Sequence, residues 1–354
     1  MFESNKKFLS VITIMLFSVF ISVNSAIAAG EETPFFHHIV AKFYKGKTVT
    51  VIVGSGAGGG FGLNGRLVSN HIGKHIPGKP TVVVQFMRGG GGTKAANYVF
   101  NVSPKDGSVI SMPISSIVEN QLLRPKKIRF DATKFQWLGS ITSLASVLSV
   151  WHTSPVKSLN EAKQKTIIMG ATSPNSSWYR MIKLMNPLLG TKFKFVTGYK
   201  GSKGVDMAME RGEVHGRSLA WASVKAKRGH WLKDGKLIHF AQIGPYKLSD
   251  LPNVPRFIDL AKTEKAKTMV RFLHMTGMIG RALHTPPNVP KDRVAALRAA
   301  FDETMKDAGF VGDYAKRKLP LGPTNGKKLQ AFIGKVAATP KSTINELKAA
   351  LKGK

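Results

Sequence analysis

The sequence predicts an α/β protein with largely parallel sheets. Three observations predict it. Short β-branched runs alternate with segments of helical periodicity, glycine clusters stand at two strand-to-helix junctions, and 354 residues suffice for about two domains. Residues 47–53 (KTVTVIV) read as a buried strand that ends in a glycine cluster at 54–60 (GSGAGGG). Leu63, Leu67, Val68, Ile72 and Ile76 then recur at helical spacing until Pro77 and Gly78. Residues 81–86 (TVVVQF) are a second strand, which ends at the glycines 89–92 and leads into a helix through Ala95, Ala96 and Val99. Further strands are expected at 108–112, 135–141, 147–151, 166–169, 193–196, 215–220, 238–243 and 277–283. Helices fall between them, for example at 205–211 and 293–306, and 323–352 read as two amphipathic helices.

The first 30 residues read as an export signal. Lys6 and Lys7 form a positive start, 8–23 are almost continuously apolar, and Ala26 and Ala28 are small residues where signal peptidase reads. Cleavage is expected after about Ala28, which would leave a periplasmic protein. The apolar run is shorter than the ~20 residues a bilayer span needs. No twin arginine precedes it, so the chain is expected to cross unfolded, without a cofactor loaded inside the cell. The absence of Cys excludes disulfides, Cys-ligated zinc, thiol nucleophiles and a lipid anchor on cysteine.

Lys and Arg total 53 against 20 Asp and Glu, a formal net charge of +33, which implies attraction to anions. The leader carries only Glu3, Lys6 and Lys7, so the excess belongs to the body. No acid occurs between Glu32 and Asp106, a stretch that holds both glycine clusters. Gly54, Gly56 and Gly59 satisfy G-x-G-x-x-G, but the acid that would bind a ribose about 20 residues on is missing, which argues against a dinucleotide site. Two glycine loops opening helices, side by side at the ends of neighbouring strands, instead suit an anion held by backbone N–H groups. His71 and His75 have a metal-compatible spacing without a third ligand, and Ser154 and Lys157 match S-x-x-K without its partner motifs. No catalytic set is present, which argues against an enzyme, and no cofactor is expected.

Ordered segments then carry a resemblance. They are 43–49 (FYKGKTV), the two glycine loops, 95–98 (AANY), 104–107 (PKDG), 198–201 (GYKG), 208–214 (AMERGEV), 232–236 (LKDGK), 251–255 (LPNVP) and 286–294 (PPNVPKDRV). Together they resemble the solute-binding proteins of tripartite tricarboxylate transporters, the TctC or Bug family, over nearly the whole body of the chain. The resemblance implies a two-lobed Venus-flytrap fold with two hinge strands. Residues 29–145 plus 247–354 would form lobe 1, and 146–246 lobe 2. It implies a receptor that captures an organic mono- or dicarboxylate between the lobes and hands it, as a monomer, to membrane permease subunits.

By the same resemblance the carboxylate would be held by Ser55, Gly56, Gly59 and Gly60 on the first loop, and by Arg88, Gly90, Gly91 and Thr93 on the second. Lobe 2 would add Thr172, Ser173, Asn175 and Ser176 from one loop, Ser218, Trp221 and Ser223 from another, and Tyr199 nearby. The family commonly has Asp where Gly62 stands, a different residue set around Phe86 and Arg88, and Asp where His215 stands. Two acids thus missing near the expected cleft, and an added Arg88, suggest a ligand without an ammonium group, with Phe61, Phe86 and Trp178 as an apolar wall. The charge motivates one other reading, an exported binder of nucleic acid or another anionic polymer. Its basic clusters, Arg124 to Arg129 and Lys225 to Arg228, read as solvated faces and not as a nucleic-acid site.

Overall fold

The computed structural model describes residues 34–353, so the expected leader lies outside the described residues. The strands are β1 (Thr48–Val53), β2 (Thr81–Phe86), β3 (Val109–Met112), β4 (Gln136–Ser140), β5 (Ser146–Trp151), β6 (Ile167–Ala171), β7 (Phe193–Thr197), β8 (Gly216–Ala220), β9 (Leu237–Ile243), β10 (Ala282–Thr285) and β11 (Thr324–Asn325). They form two sheets, ordered β11-β4-β10-β3-β1-β2 and β7-β6-β8-β5-β9, which give the molecule its two lobes.

The β-branched run of β1 suits a central strand, parallel to β2 on one side and β3 on the other. The helix Gly60–Ile72 returns from the end of β1 and lays buried Leu67, Val68 and Ile72 beside Val51 and Val53. Each such side chain contributes roughly 1.5–3 kcal/mol by leaving water. The first two strands, the helix after each, and the two tail helices (Gly326–Ala337 and Lys341–Lys352) lie where the periodicity puts them.

Two expectations need correction. The sheets are mixed: β10 runs antiparallel to β3 and β4, and β5 runs antiparallel to β8 and β9. β5 is where the chain enters the second sheet, and β10 is where it returns to the first. Neither is delivered by a crossover helix within its own sheet, so neither is held to the parallel sense. The strand expected at 277–283 is instead the end of the helix Glu264–Ile279, a break at Gly280, and then β10. Gly280 has φ +63°, and a Cβ there would overlap the Thr142 carbonyl. Only glycine lets the two connecting segments lie side by side, with Ile141 N–H donating to Arg281 O at 3.0 Å and Arg281 N–H donating to Thr142 O at 3.0 Å.

The lobes share more than these connections. The helix Ser177–Leu189, which follows β6, packs on Glu264–Ile279 and on Lys341–Lys352, and one apolar core runs from Ile52 and Val99 through to Met169 and Met181.

Candidate functional site

The first glycine loop, 54–59, carries the chain from β1 into the helix Gly60–Ile72. Gly59 precedes this helix in an extended conformation, and no side chain caps it. Its first N–H groups therefore keep their donor capacity and the positive end of the helix dipole. The loop touches lobe 2 directly. A Cβ on Gly60 would overlap Ser223 Oγ and would stand 2.5 Å from Arg281 Nη2, and Ser202 and Lys203 lie against Gly59 and Gly58. Lys227 Nζ donates to Gly58 O at 3.0 Å from across the interface, and Arg66 Nη1 donates to Ala57 O at 3.1 Å.

Cations concentrate here. Arg281 is 4% exposed, its guanidinium lies 3.9 Å over the Phe61 ring, and Nη1 is buried without a hydrogen-bond partner among the described residues. Burial pushes Arg281 down to about 10, so it stays charged at neutral pH. Burial, followed by the neighbouring Arg66, Arg228 and Arg281, also lowers the Lys227 ammonium from its ordinary value. The acid that faces this group is Asp206, and it is already engaged by Arg217 Nη1 at 2.6 Å and Arg228 Nε at 2.8 Å. Stacking on an aromatic ring contributes about 0.5–2 kcal/mol, whereas a buried charge without a partner costs several. The ring alone does not compensate Arg281.

The second glycine loop is built differently. Gly89, Gly90, Gly91 and Gly92 all have positive φ, between +56° and +139°, which explains why four glycines occur in a row. Gly92 and Lys94 N–H both donate to Gly89 O, and Thr93 N–H donates to Gly90 O. Asn175 of lobe 2 closes over it and donates through Nδ2 to Gly90 O at 3.1 Å, while Arg124 holds the Asn175 side-chain oxygen. The crevice beneath Gly91 and Gly92 is too tight for water. Behind it, fully buried Glu119 of the helix Ile117–Leu123 pairs with Arg180 and accepts from Ser177 Oγ at 2.7 Å.

The structure therefore brings Ser223 to the first loop, and Ser173 and Asn175 to the second. Ser176 caps its own helix by accepting from Tyr179 N–H at 3.2 Å, and Thr172 stands half-buried at the end of β6 in the same loop. Ser55 is half-buried, and Arg88 is exposed with its side chain against Gly56. Four expected residues serve the framework. Phe86 packs into the lobe 1 core under Arg66, Ser218 bonds Ser146 Oγ at 2.8 Å, Trp221 Nε1 donates to Asp250 at 2.7 Å, and Tyr199 lies against the lobe 2 core.

His215 sits at the start of β8, the end away from Ser223, where Nδ1 accepts from Ile168 N–H at 3.2 Å. It therefore does not mark an acid lost from the cleft. Gly62 is required because a Cβ would overlap the Ala57 carbonyl, so this loop conformation has no room for an acid there. His71 and His75 face Asp307, and His71 also faces Asp313; no group of three or more such residues is arranged for a metal among the described residues.

Sequence reasoning missed Arg281, Lys227 and Arg66. The cluster from Lys225 to Arg228, read as a solvated face, instead lies partly inside the interlobe contact, with Arg228 8% exposed. A clue was available: few acids neighbour these residues in sequence, and lone arginines in such a setting need a partner from elsewhere.

Solved structures share this fold. BugD, a periplasmic binding protein, superposes with a TM-score of 0.68 at 17% identity over 87% of this chain and 98% of that one. An R. palustris protein solved with adipate gives 0.65 at 20% identity over 85% and 97%. MatC of Rhodopseudomonas palustris, solved with bound malate, gives 0.64 at 19% identity over 84% and 99%. The chain has the two-lobed fold of these periplasmic binding proteins. No family model and no curated protein sequence matches it.

Proposed function

We propose that the protein is an extracytoplasmic receptor that holds an organic carboxylate between its two lobes and delivers it to the membrane permease subunits of a tripartite tricarboxylate-type transporter. It would act as a monomer in the periplasm, after loss of residues 1–28, by binding alone and without catalysis. Lobe 1 would comprise 29–145 plus 247–354, and lobe 2 146–246. The observation that carries this reading is the cationic contact at the first glycine loop: an uncapped helix start, Arg281 Nη1 without a hydrogen-bond partner among the described residues, and Lys227 reaching across from lobe 2. The shared fold supports it, as does the presence of malate and adipate in two of the solved neighbours. Among the described residues no helix is long and apolar enough to cross a membrane.

In this reading the loop contacts with Ser202, Ser223 and Lys227 belong to the closed state. The lobes part about the segments at 141–145 and 244–281 to admit the acid, then close on it. Closure gathers cations, so it is unfavourable until an anion enters. A thermal-shift screen over mono-, di- and tricarboxylates and aromatic acids tests the proposal. At about 100 times its dissociation constant, a true ligand adds roughly 2.7 kcal/mol of stability. If no acid raises the melting temperature while an oligonucleotide does, the receptor reading is abandoned.

A further inference from the structure

We infer that a second site, a basic groove beside the second glycine loop, seats an anionic phospholipid, with the phosphate on its cationic rim and the first acyl carbons on its apolar walls. The groove has a volume of about 630 Å³ and shares no lining residue with the contact around the first glycine loop. Three segments meet in it. The turn Pro125–Lys127, after the helix Ile117–Leu123, brings Arg124, Lys126 and Lys127. The helix Ser177–Leu189 brings Tyr179 and Lys183, one turn apart on one face. The helix Lys341–Lys352 brings Lys348, Leu351 and Lys352, again on one face. Part of the basic cluster Arg124 to Arg129, which reads in sequence as a solvated face, is thus a wall of this groove.

Positive charge here lacks a counterpart. The acids carried by the three helices are Glu119 and Glu346, and they are engaged by Arg180 and, at 3.2 Å, by Lys265. Among the described residues none of the five lysines of the groove is paired with an acid, and Arg124 ends on the uncharged Asn175 side-chain oxygen. The walls are apolar. Leu123, Pro125, Pro174 and Leu351 line them, and the Tyr179 ring is set against Phe195 with centroids 4.5 Å apart, with Lys183 Nζ 6.0 Å over it. A cationic rim around apolar walls suits a molecule with an anionic head and an apolar body. Free phosphate would leave the walls bare. A nucleic-acid strand needs successive aromatic platforms, and Tyr179 is the only aromatic residue lining the groove among the described residues. On the receptor reading, which this site does not require, a bound lipid would hold the protein at the membrane of its permease.

The test uses the whole protein at fixed ionic strength, with monomeric lipid in calorimetry and bilayers in vesicle sedimentation. Dihexanoyl phosphatidylglycerol, kept below its micelle concentration, should bind one-to-one. It should bind about tenfold or more tighter than glycerol phosphate, which lacks the acyl chains, or dihexanoyl phosphatidylcholine, which lacks the net charge. Leu351→Ser should weaken the short-chain lipid several-fold and leave glycerol phosphate unchanged. On vesicles of phosphatidylglycerol and phosphatidylcholine, joint replacement of Lys126, Lys127, Lys348 and Lys352 by Gln should cut affinity by about a hundredfold or more. These lysines are exposed or half-buried, so the fold should survive. The control removes the same charge at exposed positions outside the groove, Lys45, Lys105, Lys233 and Lys316, and should lose less than about tenfold. Equal losses in the two variants would mean a general attraction to a cationic protein and overturn the inference. So would short-chain lipid that binds no tighter than glycerol phosphate. A duplex oligonucleotide that loses as much affinity as the vesicles in the groove variant, while short-chain lipid does not bind, would assign the groove to a polyanion and overturn it too. Binding of an acid between the lobes should be the same in both variants, so the receptor reading stands or falls separately.

Discussion

Two buried arginines lie where the lobes meet, and they differ in their partners. Arg180, 3% exposed, faces Glu119 and Asn120 across the contact beside the second glycine loop. Arg281, 4% exposed, faces a phenyl ring and a glycine at the first loop, with no acid paired to it among the described residues. At the first contact Glu119 and Arg180 are paired and the crevice excludes water, while Arg124 is held by the Asn175 side-chain oxygen. The second gathers Arg66, Lys227 and Arg281 around its loop, whereas the helices after both loops start without a side-chain cap. On the receptor reading, the contact at Arg281 is the one that a ligand's negative charge would complete. The two glycine loops follow the same division. The second needs glycine for its positive φ, and the first needs it at Gly60 for close approach.

The comparison is tested most severely by Glu119→Gln. It leaves Arg180 buried without its counter-charge and should cost about 3–5 kcal/mol in denaturant unfolding. The matching change at Arg281 should cost nothing in the same assay. Equal losses at the two sites would mean that Arg281 has a structural partner and that the contrast is wrong.

A smaller effect is expected from Gly60→Ala. Its Cβ would meet Arg281 within the same proposed lobe, and would meet Ser223 of lobe 2 when the lobes are closed on each other. Stability of the separate lobes should change little, while affinity for an acid ligand should fall by about ten- to a hundredfold, the reach of a 1–3 kcal/mol overpacking penalty. Small-angle scattering should show a more open protein. An unchanged radius of gyration with unchanged affinity would place the first loop outside the closing contact.

Much of the fold was legible because its signals are local. β-branched runs such as 81–86, helical spacing after Gly60, and glycines at junctions depend on residues close in sequence, and these elements lie where they were expected. The sense of β5 and β10 was not legible, because strand direction depends on how the chain travels between sheets, and nothing local encodes that. The glycine loops at the strand-to-helix junctions were legible for the same reason as the strands. Arg281 was not. It lies 220 residues beyond Phe61, the ring it covers, in a stretch whose helix end resembles a strand. Lys227 and Arg228 were misjudged because charge clusters usually face water. Here Asp206, also distant in sequence, draws Arg228 inside and leaves Lys227 at the seam. Gly62 and His215 looked like lost acids, and the structure gives each a steric or hydrogen-bonding duty of its own.

The central claim is that a ligand carboxylate completes the contact at Arg281. The most direct measurement is a crystal structure with the tightest-binding acid from the thermal screen. The account predicts a carboxylate oxygen about 2.7–2.9 Å from the Arg281 guanidinium, beside the N–H groups at the start of the helix Gly60–Ile72, with Lys227 closing over it. An acid bound between the lobes with Arg281 still stacked on Phe61 and touching no ligand oxygen would contradict it.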